Sequence, residues 1–252
     1  MKPPGRRPEI TVPLRPLPTP VVLIHGGGLD RRCWDRLLPH LDGPGLAVDL
    51  PGRGAHPAPL DTVSFPQCAA SVREDIDGAG FGEVVLVGHS LAGCSMPTII
   101  GALGERVRHA VFVACTVPED GHSAFDTLDP EIQAMARSSS VSAEPRPMDP
   151  AMARVVLGPD LDDGQFAWCS ERLVPEATRL STDPVDLSAL RTAMPRTWVR
   201  TLRDAIIPAD KQLRFVDNVG DCQVQDLDAG HMCMVSEPSK LAAMINAVAA
   251  GR

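Results

Sequence analysis

Ser90 is the residue whose surroundings point most directly to chemistry. It follows the apolar run Glu83–Val87 and lies in the segment Gly88-His89-Ser90-Leu91-Ala92-Gly93, after which a helix is predicted. A serine hydroxyl is a weak nucleophile unless a base and oxyanion donors are placed beside it. A tight strand-to-helix turn presents the hydroxyl to both, and small flanking residues let neighbouring backbone pass close. The pattern predicts a nucleophilic serine, although Ala92 stands where the strict pattern has glycine, and Gly93 follows it.

Polar residues after two later strands are candidates for the base and the acid of such a serine. His231 follows the run Gln223–Leu227, and Asp204 follows the run Thr197–Leu202, so the order Ser, Asp, His is available. An ion pair with Arg203 at the surface is the alternative interpretation of Asp204. Three other aspartates could serve as the acid, although the last two are more typical of turn residues: Asp210, Asp226 and Asp228. Six other histidines compete with His231 by residue type alone: His25, His40, His56, His89, His109 and His122.

Four short segments, taken together, resemble the α/β-hydrolase superfamily. In chain order they are His25-Gly26, Asp49-Leu50-Pro51-Gly52-Arg53-Gly54, Gly88-His89-Ser90-Leu91-Ala92-Gly93 and Gly230-His231-Met232. The details are most similar to the small branch that includes plant methylesterases, hydroxynitrile lyases and bacterial carboxylesterases. Trp34, nine residues after His25, and the segment 231–238 resemble that branch. The resemblance extends from about Pro20 to Val248, and it is loose in the centre of the chain.

The resemblance implies a role for each of these residues. Ser90 would be the nucleophile, His231 the general base and Asp204 the acid that orients it. The segment His25-Gly26-Gly27-Gly28 resembles the oxyanion loop of the family, so the backbone N–H groups of Gly27 and Leu91 would form the oxyanion hole. Glycines allow the main chain to approach a ligand closely, although three glycines in a row can also form an ordinary flexible turn.

The resemblance also separates ester hydrolysis from cyanohydrin cleavage. The hydroxynitrile lyases of this branch carry Thr after the strand-end His and Lys after the catalytic His, whereas this chain has Gly26 and Met232 there. Without an ammonium group to stabilise cyanide, esterase chemistry is favoured. Five residues are candidates for substrate binding, with core or lid packing as the alternative for the apolar ones: Gly26, Trp34, Phe125, Trp168 and Met232. Arg203 and the acidic stretch Asp160–Asp163 are interpreted as solvated surface.

The elements that must position these residues alternate between strands and helices. Helical patterns lie around Arg31–Leu41, Phe65–Asp77, from about Leu91, and Glu237–Ala250. Apolar, strand-like runs lie between them: Pro20–His25, Leu46–Leu50, Glu83–Val87, Arg108–Cys115, Thr197–Leu202 and Cys222–Leu227. This alternation predicts an α/β protein with a mostly parallel sheet of about six strands and helices on both faces. With the motifs, it indicates the α/β-hydrolase fold.

The same pattern divides the chain into a core and an insertion. Residues 1–19 are a proline-rich N-terminal extension, residues 20–117 and 185–252 form the core, and residues 118–184 form a small helical lid. The lid is predicted because the strand–helix rhythm stops there and short helical fragments such as Pro130–Arg137 replace it.

Charge and composition exclude several classes of function. The net charge of −8 argues against a nucleic-acid partner and against docking on an anionic membrane. No stretch approaches the roughly 18 apolar residues of a membrane span, and the N-terminus lacks a secretory signal, so a cytoplasmic protein is expected. The seven cysteines are expected to be buried free thiols. No P-loop, dinucleotide fingerprint or metal-ligand cluster occurs, so neither a cofactor nor a metal is expected.

These observations favour a serine hydrolase, a carboxylesterase that cleaves a small ester substrate through an acyl-enzyme. Two alternatives remain at the level of sequence. One is a biosynthetic enzyme that uses the same scaffold for acyl transfer, cyclisation or elimination on a secondary metabolite. The other is a non-catalytic protein that binds a small molecule. The sequence is compatible with a homodimer and does not decide the oligomeric state.

Overall fold

The computed structural model describes residues 18–131, 133–134 and 146–251, so nearly all of the predicted N-terminal extension lies outside the described residues. Six strands form one sheet in the order β2-β1-β3-β4-β5-β6, and every neighbouring pair is parallel. The strands are β1 (Val21–Ile24), β2 (Gly45–Val48), β3 (Val84–His89), β4 (Val107–Val113), β5 (Arg196–Thr201) and β6 (Gln223–Leu227). The predicted parallel sheet of about six strands is confirmed.

Helices cover both faces of this sheet. They are α1 (Phe65–Gly78), α2 (Ala92–Leu103), α3 (Pro150–Val156), α4 (Asp163–Ser170), α5 (Arg179–Thr182), α6 (Ala209–Val219), α7 (Cys233–Ser236) and α8 (Pro238–Ala249). Side chains alternate along β1: Val22 and Ile24 pack with α1, α2 and α6, whereas Val21 and Leu23 pack with α7 and α8. The central strands are therefore apolar on both faces, which explains their continuous apolar runs.

The segment after β1 differs from its prediction. A helix around Arg31–Leu41 was expected, and two 3-10 turns form instead, at Arg31–Trp34 and Leu38–His40. Asp30 caps the first turn by accepting a hydrogen bond from the N–H of Arg32 at 2.9 Å. Pro39 lacks an N–H and its ring would collide with the carbonyl four residues earlier, which disfavours one continuous helix through this segment.

The insertion between β4 and β5 contains short helices and loops. A 3-10 turn at Phe125–Thr127 precedes α3, α4 and α5. Helix α4 begins at a capping box, in which Asp162 and Gln165 satisfy each other's backbone N–H groups. Half of the predicted helical fragment Pro130–Arg137 is described, at positions 130, 131, 133 and 134, which are helical; its other residues lie outside the described part of the chain. Among the helices in the described part of the chain, none has the length and apolarity needed to span a membrane.

Candidate active site

Ser90 occupies the turn between β3 and α2 in a conformation that few L residues adopt. Its φ is +55°, in the left-handed region. Its N–H donates to the carbonyl of Val113 at 3.1 Å, and its carbonyl accepts hydrogen bonds from the N–H groups of Gly93 and Thr116 at 3.0 and 2.9 Å. These bonds fix the strained turn and hold Ser90 at the carboxyl end of the sheet, where it faces the loops that follow the other strands.

Close packing around the turn explains the small residues on either side of it. A Cβ atom on Gly26 would lie 2.8 Å from the Cβ of Ser90, and a Cβ on Gly93 would overlap the carbonyl oxygen of Thr116. Ala92, in contrast, is accommodated as a buried residue at the start of α2. The closest backbone approach therefore falls on Gly93, one position later than the strict motif, and this accounts for the departure at Ala92.

Ser90, His231 and Asp204 form a continuous chain of hydrogen bonds. The Nε2 atom of His231 lies 2.9 Å from the Oγ of Ser90, and its Nδ1 lies 2.7 Å from the Oδ2 of Asp204. Asp204 follows β5 and His231 follows β6, so two neighbouring strands deliver them to the same edge of the sheet. His231 and Asp204 are 3% and 6% exposed, which keeps the imidazole and the carboxylate out of bulk water.

The carboxylate of Asp204 is held by donors on both oxygens. Oδ1 accepts hydrogen bonds from the N–H groups of Ile206 and Ile207, each at 2.8 Å. Oδ2 accepts from the hydroxyl of Thr201 at 3.0 Å as well as from His231. Burial of Asp204 opposes its ionisation, but the charge of His231 and these hydrogen bonds outweigh burial, so the pKa of Asp204 lies below its ordinary value. The group is therefore an ionised acceptor at neutral pH.

The other aspartates considered as the acid lie elsewhere. Asp226 forms a two-pronged ion pair with Arg200, and Asp228 pairs with Arg203 at 2.8 Å. Asp210 is exposed in the first turn of α6. Arg203 therefore pairs with Asp228, and the ion pair between Arg203 and Asp204 that was the alternative interpretation does not form.

Two buried histidines support the neighbouring loops. The N–H of Leu50 donates to Nε2 of His25, whose Nδ1 donates to the carbonyl of Gly26, and His89 donates from Nε2 to the carbonyl of His231. Burial lowers the pKa of each to about 3, with charge repulsion from Arg53 adding to the shift at His25 and from His231 at His89. Both rings are therefore neutral at neutral pH and act as hydrogen-bonding struts.

Gly27 and Leu91 are the residues whose N–H groups are expected to bind the substrate oxygen. Both residues line the same cleft as Ser90 and His231, and Leu91 directly precedes the first turn of α2. In the part of the chain that the structure describes, no protein group accepts a hydrogen bond from either N–H. The start of a helix presents such groups together with a partial positive charge, so this geometry suits an anionic oxygen bound next to Ser90.

The cleft above Ser90 has a volume of about 570 Å³ and is mostly apolar. Its charged lining residues are Arg146, Glu176 and Lys211, and its apolar lining includes Leu29, Leu91, Phe125, Leu157, Ile207 and Phe215. Phe125 therefore lies where the sequence prediction put it. Within residues 18–131, 133–134 and 146–251, no group of three His, Cys, Asp or Glu side chains is arranged to hold a metal ion.

Four residues predicted to bind substrate do not line this cleft: Gly26, Trp34, Trp168 and Met232. Trp34 and Met232 are completely buried, and the ring of Trp34 packs edge-on against His89, with 6.2 Å between ring centroids. Trp168 is half-buried beneath the guanidinium groups of Arg36 and Arg172. Gly26 touches Ser90 but contributes backbone rather than a binding surface. These apolar side chains pack in the core or on the insertion, which was the alternative stated for them.

Two carboxylates of the insertion contact the loops that carry Gly28 and Gly230, and sequence reasoning missed both. Glu176 accepts a hydrogen bond from the N–H of Gly28 at 2.8 Å, and Asp160 accepts one from the N–H of Gly230 at 2.5 Å. Asp160 belongs to the stretch interpreted as solvated surface, so that interpretation is wrong for this residue. No local signal identifies either contact, because the partners are 148 and 70 residues apart in the chain.

Comparison with known proteins agrees with the fold. A family model described as "Alpha/beta hydrolase family" matches residues 21–244. Polyneuridine aldehyde esterase of Rauvolfia serpentina is 29% identical over 243 residues, which cover 87% of this chain and 91% of the relative. Norfluorocurarine synthase 1 of Strychnos nux-vomica is 28% identical, over 90% of this chain and 94% of the relative. Among solved structures, an extracellular alpha/beta-hydrolase from a Paenibacillus species has a TM-score of 0.82 at 20% identity, covering 90% of this chain and 98% of that one, a likeness of fold.

Proposed function

This chain belongs to the alpha/beta hydrolase family, and we propose that it is a serine carboxylesterase acting on a small, mainly apolar ester through an acyl-enzyme. The hydrogen-bonded chain Ser90–His231–Asp204, opening on an apolar cleft, is the observation that carries this proposal. Relatives named as esterases, with coverage along most of the chain, support the same reaction class.

In the first half of the proposed reaction, Ser90 attacks the acyl carbon of the ester. Nε2 of His231 takes the hydroxyl proton, and Asp204 holds Nδ1 protonated and stabilises the imidazolium that forms. The substrate oxygen gains negative charge and accepts hydrogen bonds from the N–H groups of Gly27 and Leu91. Collapse of the tetrahedral intermediate transfers the proton from His231 to the departing alcohol and leaves an acyl group on Ser90.

The second half of the reaction repeats these steps with water. His231, now neutral, removes a proton from a water molecule that attacks the acyl carbon, and the same two N–H groups bind the oxygen. The proton returns to Oγ of Ser90 as the carboxylic acid leaves. The neutral state of His89, whose ring centroid lies 4.7 Å from that of His231, avoids repulsion of the imidazolium in both halves.

A biosynthetic transformation on the same scaffold is the second candidate. The similarity to a relative named norfluorocurarine synthase favours it, because that similarity is as extensive as the one to the esterases. Such an enzyme would share the strained serine turn and the apolar cleft, so only the product distinguishes it: an ester, lactone or ring retained in the product would exclude simple hydrolysis. A purely binding role is disfavoured because the hydrogen-bonded chain at Ser90 is intact.

Labelling with a fluorophosphonate probe tests the activated serine without knowledge of the substrate. We expect the intact mass to rise by one probe equivalent in the wild type and to stay unchanged in Ser90→Ala and His231→Ala. His122→Ala is the matched control, because His122 is exposed and remote in sequence from these loops. Hydrolysis of a panel of 4-nitrophenyl esters would then define the acyl length. A folded wild-type protein that resists both the probe and the esters would contradict the proposal.

A further inference from the structure

Glu176 connects the insertion to the loop that carries the proposed oxyanion donor. Its Oε2 accepts a hydrogen bond from the N–H of Gly28 at 2.8 Å, and the carbonyl of Gly28 accepts one from the N–H of Val174 at 2.9 Å. The same Oε2 lies 3.2 Å from the point that a Cβ on Gly27 would occupy. Residues of the insertion therefore bind both the N–H and the carbonyl of Gly28, the residue that follows the proposed donor Gly27.

The other oxygen of this carboxylate meets a buried cation. Oε1 of Glu176 accepts hydrogen bonds from the guanidinium of Arg53 and from the N–H of Ala177. The side chain of Arg53 is 1% exposed, and within the described residues Glu176 is the one carboxylate in ion-pair contact with it. An arginine buried without a counterion is destabilising, so the carboxylate of Glu176 offsets the cost of burying Arg53.

The position of Glu176 creates an electrostatic conflict that Arg53 resolves. The carboxylate lines the cleft and stands beside the site where negative charge would develop on the substrate oxygen. Two negative charges at such short range in a partly buried site repel each other. The guanidinium of Arg53, which binds Oε1, compensates the charge of the carboxylate, while Oε2 still accepts the hydrogen bond from the N–H of Gly28.

We propose that Glu176 and Arg53 are a positioning pair for the oxyanion hole: Glu176 holds the Gly27–Gly28 backbone in its working shape, and Arg53 neutralises the carboxylate next to the developing oxyanion. The role in charge compensation rests on the proposed esterase function. The role in holding the loop depends only on the contacts between Glu176, Gly28 and Arg53.

Steady-state hydrolysis of 4-nitrophenyl butyrate tests the charge role, because that role predicts how the kcat values of the single and double variants rank. We expect Glu176→Gln to lower kcat about 10-fold with KM changed less than twofold, because the loss falls on the transition state. Arg53→Gln should lower kcat about 100-fold, because it leaves an uncompensated carboxylate beside the oxyanion. The double variant should recover activity relative to Arg53→Gln. If the fold-losses in kcat of the two single variants multiply in the double variant, the charge role is overturned.

The matched control for these variants is Glu171→Gln. Glu171 lies in the same insertion, its side chain is 76% exposed, and its ion-pair contact with Arg172 is long, at 3.8 Å. We expect wild-type kcat and KM from it. Unchanged kinetics in both Glu176→Gln and Arg53→Gln, in a wild type that hydrolyses the ester, would overturn the charge role and leave the proposed function standing.

Amide hydrogen exchange measures the loop-holding role without any reaction. In Glu176→Gln, a peptide covering residues 25–30 should exchange at least 10-fold faster than in the wild type or in Glu171→Gln. Asp160→Asn should instead accelerate exchange around Gly230, since Asp160 binds that N–H. Unchanged exchange of residues 25–30 overturns the loop-holding role whatever the activity. A wild type that is inert to esters removes the proposed function and the charge role, and exchange alone then decides whether Glu176 holds the loop.

Discussion

At the scale of single residues, Asp204 uses all of its acceptor capacity, which makes a conservative change informative. An asparagine there has one oxygen, so if it accepts from Ile206 and Ile207, its amide must donate to Nδ1 of His231. That arrangement stabilises the tautomer with a proton on Nε2, which cannot accept the proton of Ser90. We expect Asp204→Asn to lower kcat by about 10³- to 10⁴-fold with a folded protein. Asp228→Asn, which alters an exposed ion pair, is the control, and esterase assays with both variants decide.

The residue scale also shows what sequence could and could not predict. Ser90 and His231 each lie in a short motif of adjacent residues, so the sequence alone could single them out as candidates. Trp34 was one of the apolar candidates for the substrate pocket, but an apolar side chain suits a pocket and a core equally well, and Trp34 packs in the core. Glu176 could not be found because its partners Gly28 and Arg53 are 148 and 123 residues away.

At the scale of elements, the junction between α2 and β4 depends on Gly93. Because a Cβ there would overlap the Thr116 carbonyl, Gly93→Ala must push the start of α2 away from the sheet and distort the turn at Ser90. We expect a loss of about 1–3 kcal/mol in the free energy of unfolding and a lower kcat. Gly78→Ala, in α1, is the contrast, since no atom lies within 4 Å of its Cβ position. That variant should gain up to about 1 kcal/mol. Urea unfolding measures both, and equal stabilities would refute the packing argument.

Strands were more predictable than helices because their signal is continuous. Each of the strands in the described sheet overlaps a predicted strand-like run, and the four central strands are buried along most of their length, as expected where helices cover both faces. The segment Arg31–Leu41 carried a helical pattern, but capping by Asp30 and the ring of Pro39 divide it into two short turns. The boundaries of the insertion remain a prediction; its buried apolar residues, such as Leu157, Leu161 and Leu180, pack directly against the core.

At the scale of the whole molecule, the reactivity of the cysteine thiols measures how tightly the core is packed. All seven are free thiols in the structure; six are buried, and Cys222 is partly exposed. Burial raises the pKa of the Cys222 thiol to about 12, so even this group reacts slowly at neutral pH. We expect a thiol reagent such as 5,5′-dithiobis(2-nitrobenzoate) to modify at most one cysteine per native chain and seven in denaturant. Rapid modification of several thiols in the native protein would contradict the close packing on the two faces of the sheet.

Acid should destabilise the whole fold through its buried histidines. His25 and His89 have pKa values of about 3 in the folded protein against 6.5 for the free side chain, so between these values the unfolded chain binds more protons. Their contribution to stability is complete above pH 6.5 and is lost as the pH falls towards 3.

Each histidine should add a slope of about 1.4 kcal/mol per pH unit to the free energy of unfolding in that window. Asp204, with its lowered pKa, adds a further loss only below about pH 3.8, its ordinary value. We therefore expect the free energy of unfolding of His89→Gln, measured in urea between pH 6 and 4, to fall less steeply with pH than that of the wild type, by about 1.4 kcal/mol per pH unit. His122→Gln, at an exposed site, should match the wild type. If His89→Gln kept the wild-type slope, His89 would not be neutral in the folded protein. Its ring, next to His231, would then have to carry charge.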